Sequence, residues 1–183
     1  MKKISIVSSN GKSLINFRGN LIKTWIRLGY LVDCVSIESH DEMDDLIHDL
    51  GATYTPVVGS RTKTNFLEDI KMLVSYISYF SSSKPDICFL YMSKPVAYGG
   101  IAARLTGVPN INILVSGLEI AFYKKTIGNL IIRGILIFLF KISCKKAKNV
   151  FFQNPDDRQV FLKYGIVKSS QCTIVSGSGV DLS

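Results

Sequence analysis

No Gly-x-Gly-x-x-Gly turn follows the first apolar run, Ile4-Ser5-Ile6-Val7, so a nucleotide-dependent oxidoreductase with a dinucleotide fingerprint is disfavoured. Cysteine is scarce. Cys34, Cys88, Cys144 and Cys172 are widely spaced and form no Cys-x-x-Cys pair, and none adjoins either histidine in sequence. That pattern excludes a disulfide scaffold and a zinc-ligand set, and it predicts reduced, buried thiols in a cytoplasmic protein. The two histidines, His40 and His48, flank an acidic helical run with no third ligand nearby, so no metal site is expected. Asp44, Asp45 and Asp49 read as a solvated helix face. There is no low-complexity tract and no fixed-period repeat, and the 47% apolar content is too high for a disordered chain. Met1-Lys2-Lys3 resembles the basic start of a secretory signal, but the apolar run after it stops at Ser8-Ser9-Asn10-Gly11, short of a signal's hydrophobic core.

What is present is enough for one α/β domain: 183 residues suit a single core of ordinary size. Short β-branched runs alternate with helical stretches, the signature of a mostly parallel, Rossmann-like sheet of about seven strands with helices on both faces. Strands are predicted at 4–7, 31–37, 53–58, 87–91, 110–115, 149–153 and 172–175. Pro56 points to an edge position for the third. Helices are predicted at 18–28, closed by Gly29, at 41–50, and at 65–80 with Phe66, Ile70, Leu73, Val74 and Ile77 on the buried face. A small-residue helix follows at 96–105, and another at 155–164 opens on Pro155. Residues 1–175 read as the domain and 176–183 as the start of a linker. Sheets of this kind bind ligands at the carboxyl ends of their strands, so the loops there are the places to examine.

The net charge of +8 is unevenly distributed. Lys124, Lys125, Arg133, Lys141, Lys145, Lys146 and Lys148 fall in one acid-free stretch, interleaved with Leu130-Ile131-Ile132 and with Gly134–Phe140, which includes Phe138. A nucleic-acid surface would set basic and aromatic residues on a polar face, and this stretch is too apolar for that. Anionic phospholipid attracts the combination. Three readings of residues 127–144 stay open: a buried core helix, an interfacial helix, and a spanning helix at the lower limit of length.

Several loops resemble family 4 glycosyltransferases, the retaining, two-domain enzymes of the GT-B fold. The resemblance rests on Asn16-Phe17-Arg18-Gly19-Asn20-Leu21-Ile22, Lys84-Pro85-Asp86-Ile87, Ser93–Gly99, Ile101–Pro109, the Ser116-Gly117-Leu118 turn, Phe152-Gln153-Asn154 and Gly177–Asp181, in that order. Glu119 departs from the pattern, which often has glycine there. The resemblance implies the N-terminal, acceptor-side half of a hexosyl-type transferase, working on a polyprenyl-linked glycan for capsule, O-antigen or exopolysaccharide synthesis. It implies a nucleotide-sugar donor as substrate, no cofactor, a donor-binding domain as missing or separate partner, and a place on the inner face of the cell membrane. A non-catalytic acceptor-binding subunit of a split transferase, or a truncated remnant, is the alternative.

Within those loops the candidate acceptor- or phosphate-binding residues are Asn10, Gly11, Asn16, Arg18, Gly19, Lys94, Tyr98, Ser116, Gly117 and Glu119. The turn at Ser8–Gly11 is either a backbone N–H cradle for phosphate or an ordinary connection. Arg18 is either a fork onto a diphosphate or a solvated arginine at a helix start. Gly19 would let a ligand approach. Lys94 would steer an anion, and Tyr98 would bond or stack on a sugar unless it packs in the core. Ser116 and Glu119 are candidates for the acceptor hydroxyl, with a structural turn role open for Glu119. Retaining transferases of the resembled kind need no enzyme nucleophile, so no catalytic base is assigned.

Overall fold

The computed structural model describes residues 1–60, 65–118, 122–123 and 126–177. Seven strands, β1 (Lys3–Val7), β2 (Leu31–Ser36), β3 (Thr53–Pro56), β4 (Ile87–Tyr91), β5 (Asn110–Val115), β6 (Ala147–Phe152) and β7 (Cys172–Ile174), form one sheet in the order β3-β2-β1-β4-β5-β6-β7. Every pairing is parallel, and Pro56 closes the edge strand β3, where its missing N–H leaves no ladder bond unmade. Between strands run α1 (Gly11–Arg27), α2 (His40–His48), α3 (Phe66–Ser83), a π turn (Pro95–Gly99) continuing into α4 (Gly100–Leu105), α5 (Ile127–Cys144) and α6 (Pro155–Lys163). Gly29 and Gly51, at φ +85° and +83°, turn the chain after α1 and α2 through a conformation that a Cβ disfavours.

The strand alternation sorts the core into two layers. Ile6, Cys34, Tyr91 and Leu114 face α1 and α2, while Val7, Val35, Leu90, Ile113, Val150 and Phe152 face α3 to α6. Among the described residues only two helices cover the first face, and they sit over β1 to β3. Phe89 on β4 and Phe151 on β6 are therefore only partly buried, and a groove opens beside α1.

Several elements depart from the sequence reading. The first helix begins at Gly11, two turns before residue 18; its opening turn, Gly-Lys-Ser, has no propensity signal and is held by packing on the sheet. In α3 the buried side chains are Met72, Tyr76, Tyr79 and Phe80, whereas Phe66, Ile70 and Val74 are exposed. Leu73 and Ile77 of the predicted face do pack, partly buried, against the core; the buried side is rotated from the aliphatic pattern because Tyr76 and Tyr79, which carry a polar group, occupy its centre. β6 starts two residues earlier than expected. Cys34, Cys88 and Cys144 are buried and Cys172 is half-exposed; burial pushes the Cys88 and Cys144 thiols up to about 12. The buried-core reading of residues 127–144 is overturned, because Phe140, Ser143 and Cys144 are the helix's only buried residues.

Close packing of α4 on α5 depends on Gly100. A Cβ there would lie 1.9 Å from Ser143 Oγ and 2.9 Å from Ser143 Cβ, and the Ser143 hydroxyl is committed to the Val96 carbonyl. Gly100→Ala is expected to destabilise the fold by about 1–3 kcal/mol through overpacking, read as a lower urea midpoint at unchanged slope. A loss under about 0.5 kcal/mol would show that the two helices slide apart freely.

Candidate functional site

The chain reverses its direction of strand addition between β1 and β4, so their carboxyl ends border the crevice where such sheets bind ligands. A polar network lines it. The Ser13 and Tyr91 hydroxyls are 2.7 Å apart and those of Ser8 and Ser13 3.1 Å, while Ser8 Oγ and Ser9 Oγ each donate to Met92 Sδ at 3.3 Å. Met92, immediately after β4, holds φ +70°, a left-handed backbone uncommon for a non-glycine residue. Asn10 caps α1 with its backbone: its carbonyl accepts from Ser13 Oγ at 2.8 Å.

The Gly11 N–H, a candidate phosphate donor, is already used. It donates to Glu38 Oε2 at 2.9 Å, and Ser36 Oγ donates to the same oxygen at 2.7 Å. A carboxylate from this chain thus compensates the positive end of α1. The glycine itself serves packing, since a Cβ would meet Met43 Sδ at 2.7 Å.

Asn16, Arg18 and Gly19 share the groove beside α1, a cavity of about 640 Å³ whose apolar wall includes Phe17, Phe89, Leu114, Phe151 and Val175. Helical spacing brings Arg18 inward, not out to solvent as a helix-start arginine would be. It is 6% exposed, and its guanidinium lies 5.0 Å from the Tyr91 ring centroid, a cation–π contact. One Nη donates to the Phe17 carbonyl at 3.2 Å, and the buried Nε has no partner. Desolvation lowers the Arg18 pKa from its ordinary value, with the electrostatic effect of the Tyr91 phenol group opposing; an arginine nevertheless stays charged. At Gly19 the nearest atom to an added Cβ is Leu50 Cδ2 at 3.7 Å, so the helix does not itself demand glycine there.

Lys94 and Tyr98 belong to a separate cluster on the α3 side. Lys94 Nζ lies 2.9 Å from Asp69 Oδ1, with both side chains under one-fifth exposed. Tyr98 is half-buried in the π turn; its burial, followed by a hydrogen bond to Asp69 and that carboxylate's charge, raises its pKa strongly. Ser116 and Gly117 are exposed just beyond β5, with Gly117 at φ +150°. Glu119, Lys124 and Lys125 lie outside the described residues. Arg133, Phe138, Lys141, Lys145 and Lys146 are all on α5 or its end, with Arg133 half-buried and the others exposed. His40 pairs with Asp44 at 3.4 Å, and no cluster of three His, Cys, Asp or Glu side chains suited to a metal occurs among the described residues.

The described candidates therefore fall into four groups: Asn10 and Gly11 at the α1 start, Asn16 with Arg18 and Gly19 in the groove, Lys94 with Tyr98 across the sheet, and Ser116 with Gly117 exposed beyond β5. Sequence reasoning missed Tyr91, Glu38 and Asp69. The first was signalled by its place at the end of a buried strand. Nothing local distinguished Glu38 or Asp69 from other surface acids.

Comparison with known proteins places this geometry in context. Residues 9–154 match the family described as Glycosyl transferase 4-like. Over 118 residues the chain is 27% identical to the UDP-Gal:alpha-D-GlcNAc-diphosphoundecaprenol alpha-1,3-galactosyltransferase of Escherichia coli, covering 64% of this chain and 29% of that protein. Among solved structures, the fold is similar to Acinetobacter baumannii MurG (TM-score 0.60, 15% identity, 100% of this chain and 47% of that one). It is also similar to a UDP-N-acetylglucosamine 2-epimerase (0.69, 14%, 96% and 48%). Sucrose-phosphate synthase of Thermosynechococcus elongatus is a third (0.67, 11%, 96% and 48%). The chain spans less than a third of the curated relative's length and about half the length of these structures.

Proposed function

The chain belongs to the glycosyl transferase 4-like family, and on that premise we propose that it is the acceptor-side half of an enzyme that transfers a hexose from a nucleotide sugar to a polyprenyl-diphosphate-linked glycan, as in capsule, O-antigen or exopolysaccharide synthesis. The observation that carries the reading is Arg18: a buried guanidinium with an unpartnered Nε at the wall of an apolar groove. A buried charge without a full set of partners is costly, and an acceptor diphosphate would supply them as charge-assisted hydrogen bonds. Phe89, Leu114 and Phe151 would then lie against the first apolar units of the acceptor's lipid. The similarity to a transferase whose name includes a diphosphoundecaprenol acceptor supports the same chemistry.

Sugar transfer needs the donor's leaving diphosphate stabilised, the acceptor hydroxyl oriented and water excluded. This half supplies the second requirement, and a donor-binding partner domain would supply the first and, on closing, the third. The 183-residue chain alone is accordingly expected to bind a short polyprenyl-diphosphate sugar, competitively with inorganic pyrophosphate, and to show little or no turnover with a radiolabelled uridine-diphosphate hexose. Adding a donor-binding partner should restore transfer. Robust transfer by the chain alone, or acceptor binding indifferent to pyrophosphate, would overturn the assignment.

A further inference from the structure

A helix on the surface of a folded domain normally turns a polar side outward, whereas α5 is apolar on its outer side as well as on the side packed against the core. Its buried residues, Phe140, Ser143 and Cys144, define the inward direction. Positions repeat about every 100° around a helix, which places Ile127, Ile131, Ile135 and Phe138 on the opposite side. There they are 79%, 61%, 54% and 63% exposed. The same outward line continues into Lys141 and Lys145, both exposed. Arg133 lies half-buried on the inward flank, so the outward apolar stripe is uninterrupted until the lysines begin.

The fold sets which end is apolar. A helix joining neighbouring parallel strands starts at the carboxyl edge of the sheet and ends at the amino edge, so Ile127 is at the carboxyl edge and Lys145 at the other. Helix α3 packs on the same face and also starts at the carboxyl edge, where it exposes Phe66 and Leu67. Two helix starts thus present large apolar side chains on one face beside the edge where the loops lie.

By length and mean hydropathy, 1.8 over 18 residues, α5 is apolar enough to cross a membrane. Its place excludes that. It bridges adjacent strands β5 and β6, and its last turn is buried against the π turn and the core. A span would require those contacts to break.

We propose that the outward face of α5 docks the protein onto an anionic lipid bilayer, with Ile131, Ile135 and Phe138 in the acyl boundary and Lys141 and Lys145 among the headgroups. The argument for lipid is charge complementarity. No acidic residue occurs between positions 124 and 148, so an anionic headgroup layer meets cations without repulsion, while the apolar stripe gains by leaving water. This orientation turns the carboxyl edge toward the membrane, and the inference stands independently of the proposed transfer activity.

The test is co-sedimentation of the chain with phosphatidylcholine vesicles containing or lacking phosphatidylglycerol, at low and high salt. Binding is expected with phosphatidylglycerol, weakened but not abolished by salt. Ile131→Asp with Phe138→Asp should lower partitioning at least about tenfold at both salt levels. Lys141→Glu with Lys145→Glu should remove most of the dependence on phosphatidylglycerol. Since all four positions are exposed, the variants should retain the circular dichroism spectrum and urea midpoint of the parent. Should binding be lost only with loss of fold, vesicle protection of α5 amides from hydrogen exchange in the parent gives the second readout. Absence of binding, equal binding by the aspartate pair, unprotected α5 amides, or a stable dimer in sedimentation velocity that the aspartate pair dissociates would each overturn the proposal.

Discussion

Substituting methionine for Arg18 is expected to raise stability by about 1 kcal/mol while weakening capture of a diphosphate-linked acceptor at least about tenfold. The two effects have one origin. In the unliganded chain the guanidinium is 6% exposed, bonds one carbonyl through Nη1 and leaves Nε unpaired. Methionine keeps the stem's packing against Tyr91 and removes the desolvated charge; the cation–π contact it forfeits is worth about 0.5–2 kcal/mol, which limits the gain. The same charge is what an anionic ligand would recognise. Urea unfolding reads the first effect and isothermal titration with a polyprenyl-diphosphate sugar the second. Arg18→Lys tests geometry, because it retains charge and loses the planar fork; its affinity should fall between the two. Destabilisation with unchanged acceptor affinity would make Arg18 a structural cation and withdraw it from the site.

The second large effect is on the fold alone. Phe161→Ala is expected to cost about 3–5 kcal/mol, a substantial part of the total stability of about 5–15 kcal/mol usual for a domain. Phe161 is 1% exposed. Its ring stacks on Phe140 at 5.5 Å and meets Phe152 edge-on at 5.3 Å, so one side chain on α6 ties the buried end of α5 to strand β6. The loss should be visible as a fall in urea midpoint, and faster hydrogen exchange should reach α5 before the central strands. A cost below about 1 kcal/mol would mean that neighbouring side chains collapse into the space and that α5 is held by other contacts, chiefly the Gly100–Ser143 approach.

Much of the architecture was legible because it depends on local rules. Ile87–Tyr91 reads as a buried strand from its unbroken apolar run. Pro56 marks an edge because proline lacks a donor. Gly29 and Gly51 mark helix ends because they can adopt positive φ. Ordered loop signatures carried the family resemblance, and the match of residues 9–154 bears it out. The start of α1 was not legible, since Gly11-Lys12-Ser13 forms a helical turn only through contacts with α2 and β4. Nor was the buried side of α3, where tyrosine hydroxyls find interior partners: Tyr79 donates to Asp33 at 2.7 Å.

The site divides in the same way. That the carboxyl edge of a parallel sheet would carry the polar loops followed from the strand–helix alternation, and the sequence alone determined the fold class, the order of the strands along the chain and the basic, apolar character of α5. The tertiary structure alone decided the rest. It brought Glu38 to the Gly11 N–H, Asp69 to Lys94, and Tyr91 beneath Arg18, pairs separated by 27, 25 and 73 positions. It also decided which apolar side chains of α5 meet the core and that Ile131, Ile135 and Phe138 point outward. Periodicity reports which side chains share a face, because that depends on the pitch of one helix. Which way the face turns depends on the neighbours, and those are set only when distant segments pack.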